Sequence, residues 1–221
     1  MNATQPQSTP NSPATVTAFA LALVAATVLC GCASSPSPAP ILLSLPPALA
    51  SVAGTAAAEA PAATGAASPK LLAIRRVGIP EYLVARRVRY RSDASTLAEW
   101  PNTYWAERIE IGVSREFMSA LRQQLPGWEL CESTCGDREP SLALQVEMVP
   151  MDFVRSAQQL QARARITVSS AGAAQRTLQA TELTYAIPAA ADTAQAQAGA
   201  VTELLRRVAA ATAPLVAAAG R

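Results

Sequence analysis

The sequence predicts an α+β domain, a two-layer sandwich in which a mostly antiparallel sheet carries two main helices packed on one face. Three observations lead there. Stretches at 82–91, 141–150 and 160–169 alternate apolar and polar residues with the period of a strand. Two longer stretches, 104–125 and the C-terminal run after Asp192, repeat apolar residues every third or fourth position, as a helix with one buried side does. The order is strand, strand, helix, three strands, helix. Alternating strands are half-buried and therefore antiparallel, and one-sided helices stack on one sheet face.

Each element follows from local chemistry. Residues 70–79 (KLLAIRRVGI) read as a strand, ended by Pro80, which cannot donate to a ladder. In 82–91, Tyr82, Val84, Arg86, Val88 and Tyr90 share one face, and Leu83, Ala85, Arg87, Arg89 and Arg91 the other. Over 104–125, Trp105, Ile109, Val113, Phe117, Leu121 and Leu125 recur every four residues, and Pro126-Gly127 closes the helix. Glu107, Glu110, Arg115, Glu116 and Arg122 lie off that stripe, and Glu107 and Glu110 read as helix surface. In 141–150, Leu142, Leu144, Val146 and Met148 face one way. The runs 160–169 and 176–187 flank Ala171-Gly172 and read as a hairpin. The last helix is expected to start at Asp192, with Gln195 completing a capping box. Val201, Leu204, Leu205, Val208, Ala211 and Leu215 form its buried stripe, and Pro214 kinks or ends it.

The chain has 221 residues, 18 Lys and Arg against 16 Asp and Glu, and no histidine. A net charge of +2 argues against a nucleic-acid binder. Without imidazole, every mechanism that uses it as base or metal ligand is excluded. Half the residues are hydrophobic but only 5% are aromatic, so alanine supplies much of the apolar content. Residues 1–58 carry no charged side chain. The domain boundaries read as a leader at 1–31, a tether at 32–69 and a globular domain at 70–219.

Residues 14–29 form one apolar stretch, shorter than the about 20 residues that a bilayer span needs, but of the length of a secretory h-region. Leu29-Cys30-Gly31-Cys32 follows at once. This resembles a bacterial lipoprotein signal, which implies cleavage before Cys32 and acylation of Cys32. Ala33, rather than Asp, at the next position favours the outer membrane. The other reading of the stretch is a buried apolar helix or an uncleaved anchor. From Ala33 to Pro69 the chain is mostly Ala, Pro, Ser and Gly, a composition too poor in large side chains to offset ordering entropy. The exception is the pentad at 41–45 (ILLSL), which is able to pair as a strand. If only residues 33–40 are free, the tether spans at most about 28 Å; if all of 33–69 is free, its root-mean-square reach is roughly 35 Å.

These residues together resemble the ABC-type transport auxiliary lipoprotein family. The resemblance rests on the Leu-Cys-Gly-Cys site, on Val77-Gly78-Ile79-Pro80-Glu81-Tyr82-Leu83, and on Trp105-Ala106-Glu107, and covers about residues 29–217. The tyrosines that the family carries in its first strand are absent, and Val84-Ala85-Arg86 stands where an Asp-Arg-Pro-like run is usual. The resemblance implies a role without a reaction. It implies a periplasmic lipoprotein, held at the outer membrane, in an MCE-type (mammalian cell entry, Pqi-like) lipid transport system. Its partners would be an inner-membrane protein with MCE domains and the outer-membrane lipids, and it would support envelope integrity. The resemblance also implies homo-oligomeric rings, although nothing in this sequence specifies one.

Candidate sites are few. Cys131 and Cys135 form Cys-Glu-Ser-Thr-Cys in a polar loop, and after export they are the remaining thiols in an oxidising compartment. They are expected to form a disulfide. Zinc is the weaker reading, because two cysteines and no histidine do not complete a site. Within 75–91, six arginines face one glutamate, a local excess of five positive charges. Arg87, Arg89 and Arg91 share a face and are the candidate contact with lipid headgroups or an acidic partner; the plain reading is a solvated strand face whose charge protects an edge. Neither Gly-x-x-x-x-Gly-Lys nor Gly-x-Gly-x-x-Gly occurs, so this chain is not the transporter's ATPase. No cofactor and no catalytic residue is expected. A structural lipoprotein that assists or plugs an outer-membrane protein is the alternative function, and a carboxylate-dependent envelope hydrolase the third.

Overall fold

A computed structural model describes residues 38–48, 69–132, 135–172 and 175–221, so the leader, Cys32 and most of the expected tether lie outside the described residues. The described elements are β1 (Ile41–Leu43), β2 (Lys70–Ile74), β3 (Arg87–Arg91), β4 (Leu97–Trp105), α1 (Ile109–Gln124), β5 (Trp128–Glu132), β6 (Leu142–Val154), β7 (Gln159–Ser170), β8 (Thr177–Pro188) and α2 (Ala194–Ala219). The α+β class is as the sequence predicts.

β6 organises the sheet. Its alternation of Leu142, Leu144, Val146 and Met148 puts four side chains on one face, all buried. On one edge it pairs antiparallel with β7, and β7 pairs antiparallel with β8. On its other edge it pairs parallel with β2 at its start and with β3 at its end. Between those two contacts Gly78 bridges to Glu147. A side chain at Gly78 would stand 3.3 Å from the Glu147 Cγ, so the close approach suits glycine. β5 extends β2, β4 extends β3, and β1 lies parallel on β4.

The pairings β1–β4, β2–β5, β2–β6 and β3–β6 are parallel. The sheet is thus mixed and curls as a half-barrel, where the sequence predicts a mostly antiparallel two-layer sandwich. The reason is long-range: alternation within a strand says nothing about the direction of a partner far away in sequence. α2 packs on β6, β7 and β8, and α1 packs on α2 and β5. Phe117, Phe153, Leu72, Leu144, Leu160, Ile166 and Leu204 are fully buried in one core.

Local differences have local causes. The strand expected over 82–91 is a 3-10 turn at Glu81–Leu83, with strand pairing confined to β3. The helix expected from Tyr104 starts at Ile109, because 97–105 belongs to β4. Pro101 disguises that strand. It is accommodated at a register shift, where Asn102 adopts φ 49° and no ladder bond is needed. β5 turns the expected loop around Cys131 into a strand. The last helix is capped by Thr193, whose hydroxyl accepts the Ala196 N–H at 3.1 Å, and not by Asp192, which pairs instead with Arg155 at 2.9 Å. α2 continues through the exposed Pro214 to Ala219, where burial of Val216 outweighs the missing N–H.

Candidate functional site

The corner formed by β1, β4 and β3 gathers the candidate arginines. Arg87, Arg89 and Arg91 share one face of β3 while Val88, between them, is buried. Their acidic partners come from other strands. Arg87 and Arg89 flank Glu99 of β4 at 3.3 and 3.2 Å. Arg91 reaches Asp152 of β6 at 3.0 Å. The excess of charge visible in the sequence window is therefore reduced by acids outside it, to one formal charge over these five groups.

Tyr82 ties this face to the turn before it. Its hydroxyl donates to Asp152 at 2.9 Å, and its carbonyl accepts from Arg89 at 2.8 Å. Partial burial, then the Asp152 carboxylate, raises the Tyr82 hydroxyl above the ordinary phenol value. The same carboxylate raises Arg91 further into its charged range. Arg87 is the most exposed of the three and lies over the Tyr104 ring, 5.2 Å from its centroid. Arg86, next in sequence, is exposed and has no acidic partner among the described residues.

The chain after β1 is held by both helices. The Ala48 N–H donates to Glu116 at 2.9 Å, Gln123 donates to the Ala48 carbonyl at 2.8 Å, and Thr202 donates to the Pro46 carbonyl at 3.0 Å. A groove of about 520 Å³ opens beside it, lined by Pro46, Ala48, Ala120, Gln123, Thr202, Glu203 and Arg206 among others. Glu110 is buried, which corrects its reading as helix surface, and Glu116, also off the apolar stripe, is buried too. The chain at 45–48 covers the side of α1 that carries Gly112, Glu116 and Gln123, while the side that carries Glu110 and Ser114 meets Val77, whose N–H donates to the Ser114 hydroxyl. The Glu110 carboxylate oxygens accept no hydrogen bond, and the Arg108 guanidinium lies against one of them as an ion pair. Among the described residues no group of three His, Cys, Asp or Glu is placed to hold a metal, and no helix is long and apolar enough to cross a membrane.

Cys131 sits on β5 and its Cα lies 5.3 Å from that of Cys135, inside the range a disulfide spans. What the sequence reading missed is the exposure of β1. Ile41 is 45% exposed and Leu42 59%. An apolar pentad in a tether otherwise made of small residues and proline marks a strand, but not which of its side chains face outward.

The comparisons with known proteins agree on the fold. The profile of the ABC-type transport auxiliary lipoprotein component family matches residues 54–213. The crystal structure of an uncharacterized protein superposes with a TM-score of 0.62 at 14% identity, covering 81% of this chain and 99% of its own. Protein XCC0632 from Xanthomonas campestris, of the family DUF330, superposes with a TM-score of 0.52 at 15% identity, covering 70% of this chain and 86% of its own. No curated protein matches significantly.

Proposed function

We propose that this chain, which belongs to the ABC-type transport auxiliary lipoprotein component family, is the outer-membrane-anchored subunit of an MCE-type, Pqi-like lipid transport system. In this reading the leader at 1–31 is removed, Cys32 is acylated, and the remainder holds the domain at the periplasmic face. Two or more acyl chains, at about 0.8 kcal/mol per buried CH2, make such an anchor stable. The domain docks the distal end of a conduit built by an inner-membrane protein with MCE domains, and thereby supports envelope integrity. Cys131 and Cys135 are closed as a disulfide in that oxidising compartment.

The observation that carries the reading is the family match over most of the chain. The surface agrees with an adaptor: Tyr82, Arg87, Arg89, Arg91, Glu99 and Asp152 at the β1–β4–β3 corner are engaged with one another as ion pairs and hydrogen bonds. The face of Arg87, Arg89 and Arg91 is the contact offered to lipid or partner. Crosslinking in cells, followed by identification of the captured protein, tests the role. Capture of an MCE-domain protein is the expected result, and capture of a β-barrel alone would replace this reading with assembly or plugging of an outer-membrane protein. Replacing Arg87, Arg89 and Arg91 together by Ser is expected to weaken binding to anionic vesicles in low salt.

A further inference from the structure

We infer that the β1 edge, with Leu42, Tyr104 and Arg87 side by side, rests on the phospholipid surface to which the chain is anchored. The inference depends on acylation of Cys32 as proposed above. Register places the three residues in one row across β1, β4 and β3: Leu42 pairs with Tyr104, and Tyr104 with Arg87. Ile41 and Leu42 are adjacent and both exposed, in a strand whose described pairing is with β4 alone. Large apolar residues at a strand edge are a liability unless something covers them.

Chain length selects the occupant. Eight residues lie between Cys32 and Ile41, nine steps along the chain and a reach of at most about 30 Å even when fully extended. A compact unit of this size measures about 40 Å across. The anchor is therefore too short to let the far side of the domain meet the bilayer, while β1 is the first described strand after it. The chemistry of the row agrees. Leu42 supplies an apolar side chain, Tyr104 an amphipathic ring of the type that settles at headgroup depth, and Arg87 a cation for phosphate. The Arg87 guanidinium already lies over the Tyr104 ring and shares Glu99 with Arg89, so the local balance stays positive. Arg86, exposed and without an acidic partner among the described residues, adds a cation next to it. Strand β8, at the opposite end of the path through β4, β3, β6 and β7, carries only Glu182 as a charged residue.

The test uses the full chain, processed in a bacterial host that acylates lipoproteins. A photoreactive p-benzoylphenylalanine replaces Leu42 in one variant and Ala180 of β8, also exposed, in another; neither side chain belongs to the core. The mass of the N-terminal peptide is read from the same samples. The expected result is a phospholipid adduct at position 42 and none at position 180. A protein adduct at 42, whether a second copy or another chain, overturns the inference. So does an acylated Cys32 with no lipid adduct at 42, which leaves the anchor standing and removes the surface. A Cys32 without acyl chains removes both.

Discussion

The β6–β7–β8 meander and the β1–β4–β3 corner belong to one sheet but are specified in different ways. In the meander each strand pairs with its sequence neighbour, over eleven register pairs between β6 and β7 and eleven between β7 and β8. The same alternation that forms the strands also buries Leu144, Ile166 and their row, so local pattern and global packing coincide. In the corner, β1 pairs with a strand some 60 residues away, as Ile41 with Thr103. β4 contains a proline and a left-handed asparagine, and its register on β3 shifts. Here pairing is decided by distant contacts and by side chains such as Glu116 that fasten the entering chain. The comparison separates a region that supplies stability from a region that supplies an orientation and a surface.

The sharpest way to break that contrast is to truncate one side chain in each region. Leu144→Ala removes a fully buried side chain from the meander. It is expected to cost about 2–5 kcal/mol, read as a lower midpoint in urea. Leu42→Ala in the corner removes an exposed side chain of the same size and is expected to change stability by less than about 0.5 kcal/mol. Equal losses would mean that β1 is part of the core after all.

The corner's own stability is expected to rest on its clamp. Glu116 is buried and accepts from the Ala48 N–H and from Arg115. Glu116→Ala leaves both donors without that acceptor and is expected to cost about 1.5–3 kcal/mol. Hydrogen exchange distinguishes this from a general loss: amides at 43–48 should lose protection while those of β6 and β7 keep theirs. Uniform loss of protection would make the clamp part of the same cooperative unit as the meander.

A smaller effect tests where α2 begins. Thr193→Ala should cost about 1 kcal/mol, because the Thr193 hydroxyl accepts the Ala196 N–H. Asp192→Ala removes a half-exposed pair with Arg155 and should cost between about 0 and 1 kcal/mol. The reverse ranking would restore the capping box expected from Asp192 and Gln195.

These differences explain what was legible. The β7–β8 hairpin was readable to within a residue, because period-two alternation and a Gly-containing turn act over short distances, while β6 runs four residues beyond the expected 141–150. The face shared by Arg87, Arg89 and Arg91 was readable for the same reason. Their neutralisation by Glu99 and Asp152 was not, since those acids arrive through pairings that no local window contains. β4 was hidden by Pro101 and by a coincidence of spacing, in which Trp105 continued the four-residue rhythm of α1 while belonging to a strand. The burial of Glu116 was not legible because a helix stripe identifies the side facing the sheet, and α1 has a second neighbour in the chain at 45–48; Glu110 was misplaced because it lies one turn before Ser114, on a side that meets Val77.

The smallest expected effect concerns the groove beside that chain, where Glu203 is the exposed counterpart of Glu116. Hydrogen bonds from Arg206, then Arg207, hold the Glu203 carboxyl down to about 2. A depressed carboxyl stabilises the fold above its unfolded pKa of about 4.3, and the contribution fades as pH falls from there toward 2. Because Glu203 is 31% and Arg206 50% exposed, solvent screening limits the effect to about 1 kcal/mol or less. Glu203→Gln should therefore lower neutral stability by about 1 kcal/mol or less and flatten the acid limb of a stability-versus-pH curve, the two proteins converging as pH falls from about 4 toward 2. In 1 M salt that difference should shrink further, since the Debye length falls to about 3 Å. The cost of Glu116→Ala should persist in salt, because it reflects a buried N–H without a partner and not a screened charge. A strong salt dependence of the Glu116 variant would erase the distinction between a buried clamp and a solvated pair, and with it the claim that the entering chain is fastened from inside.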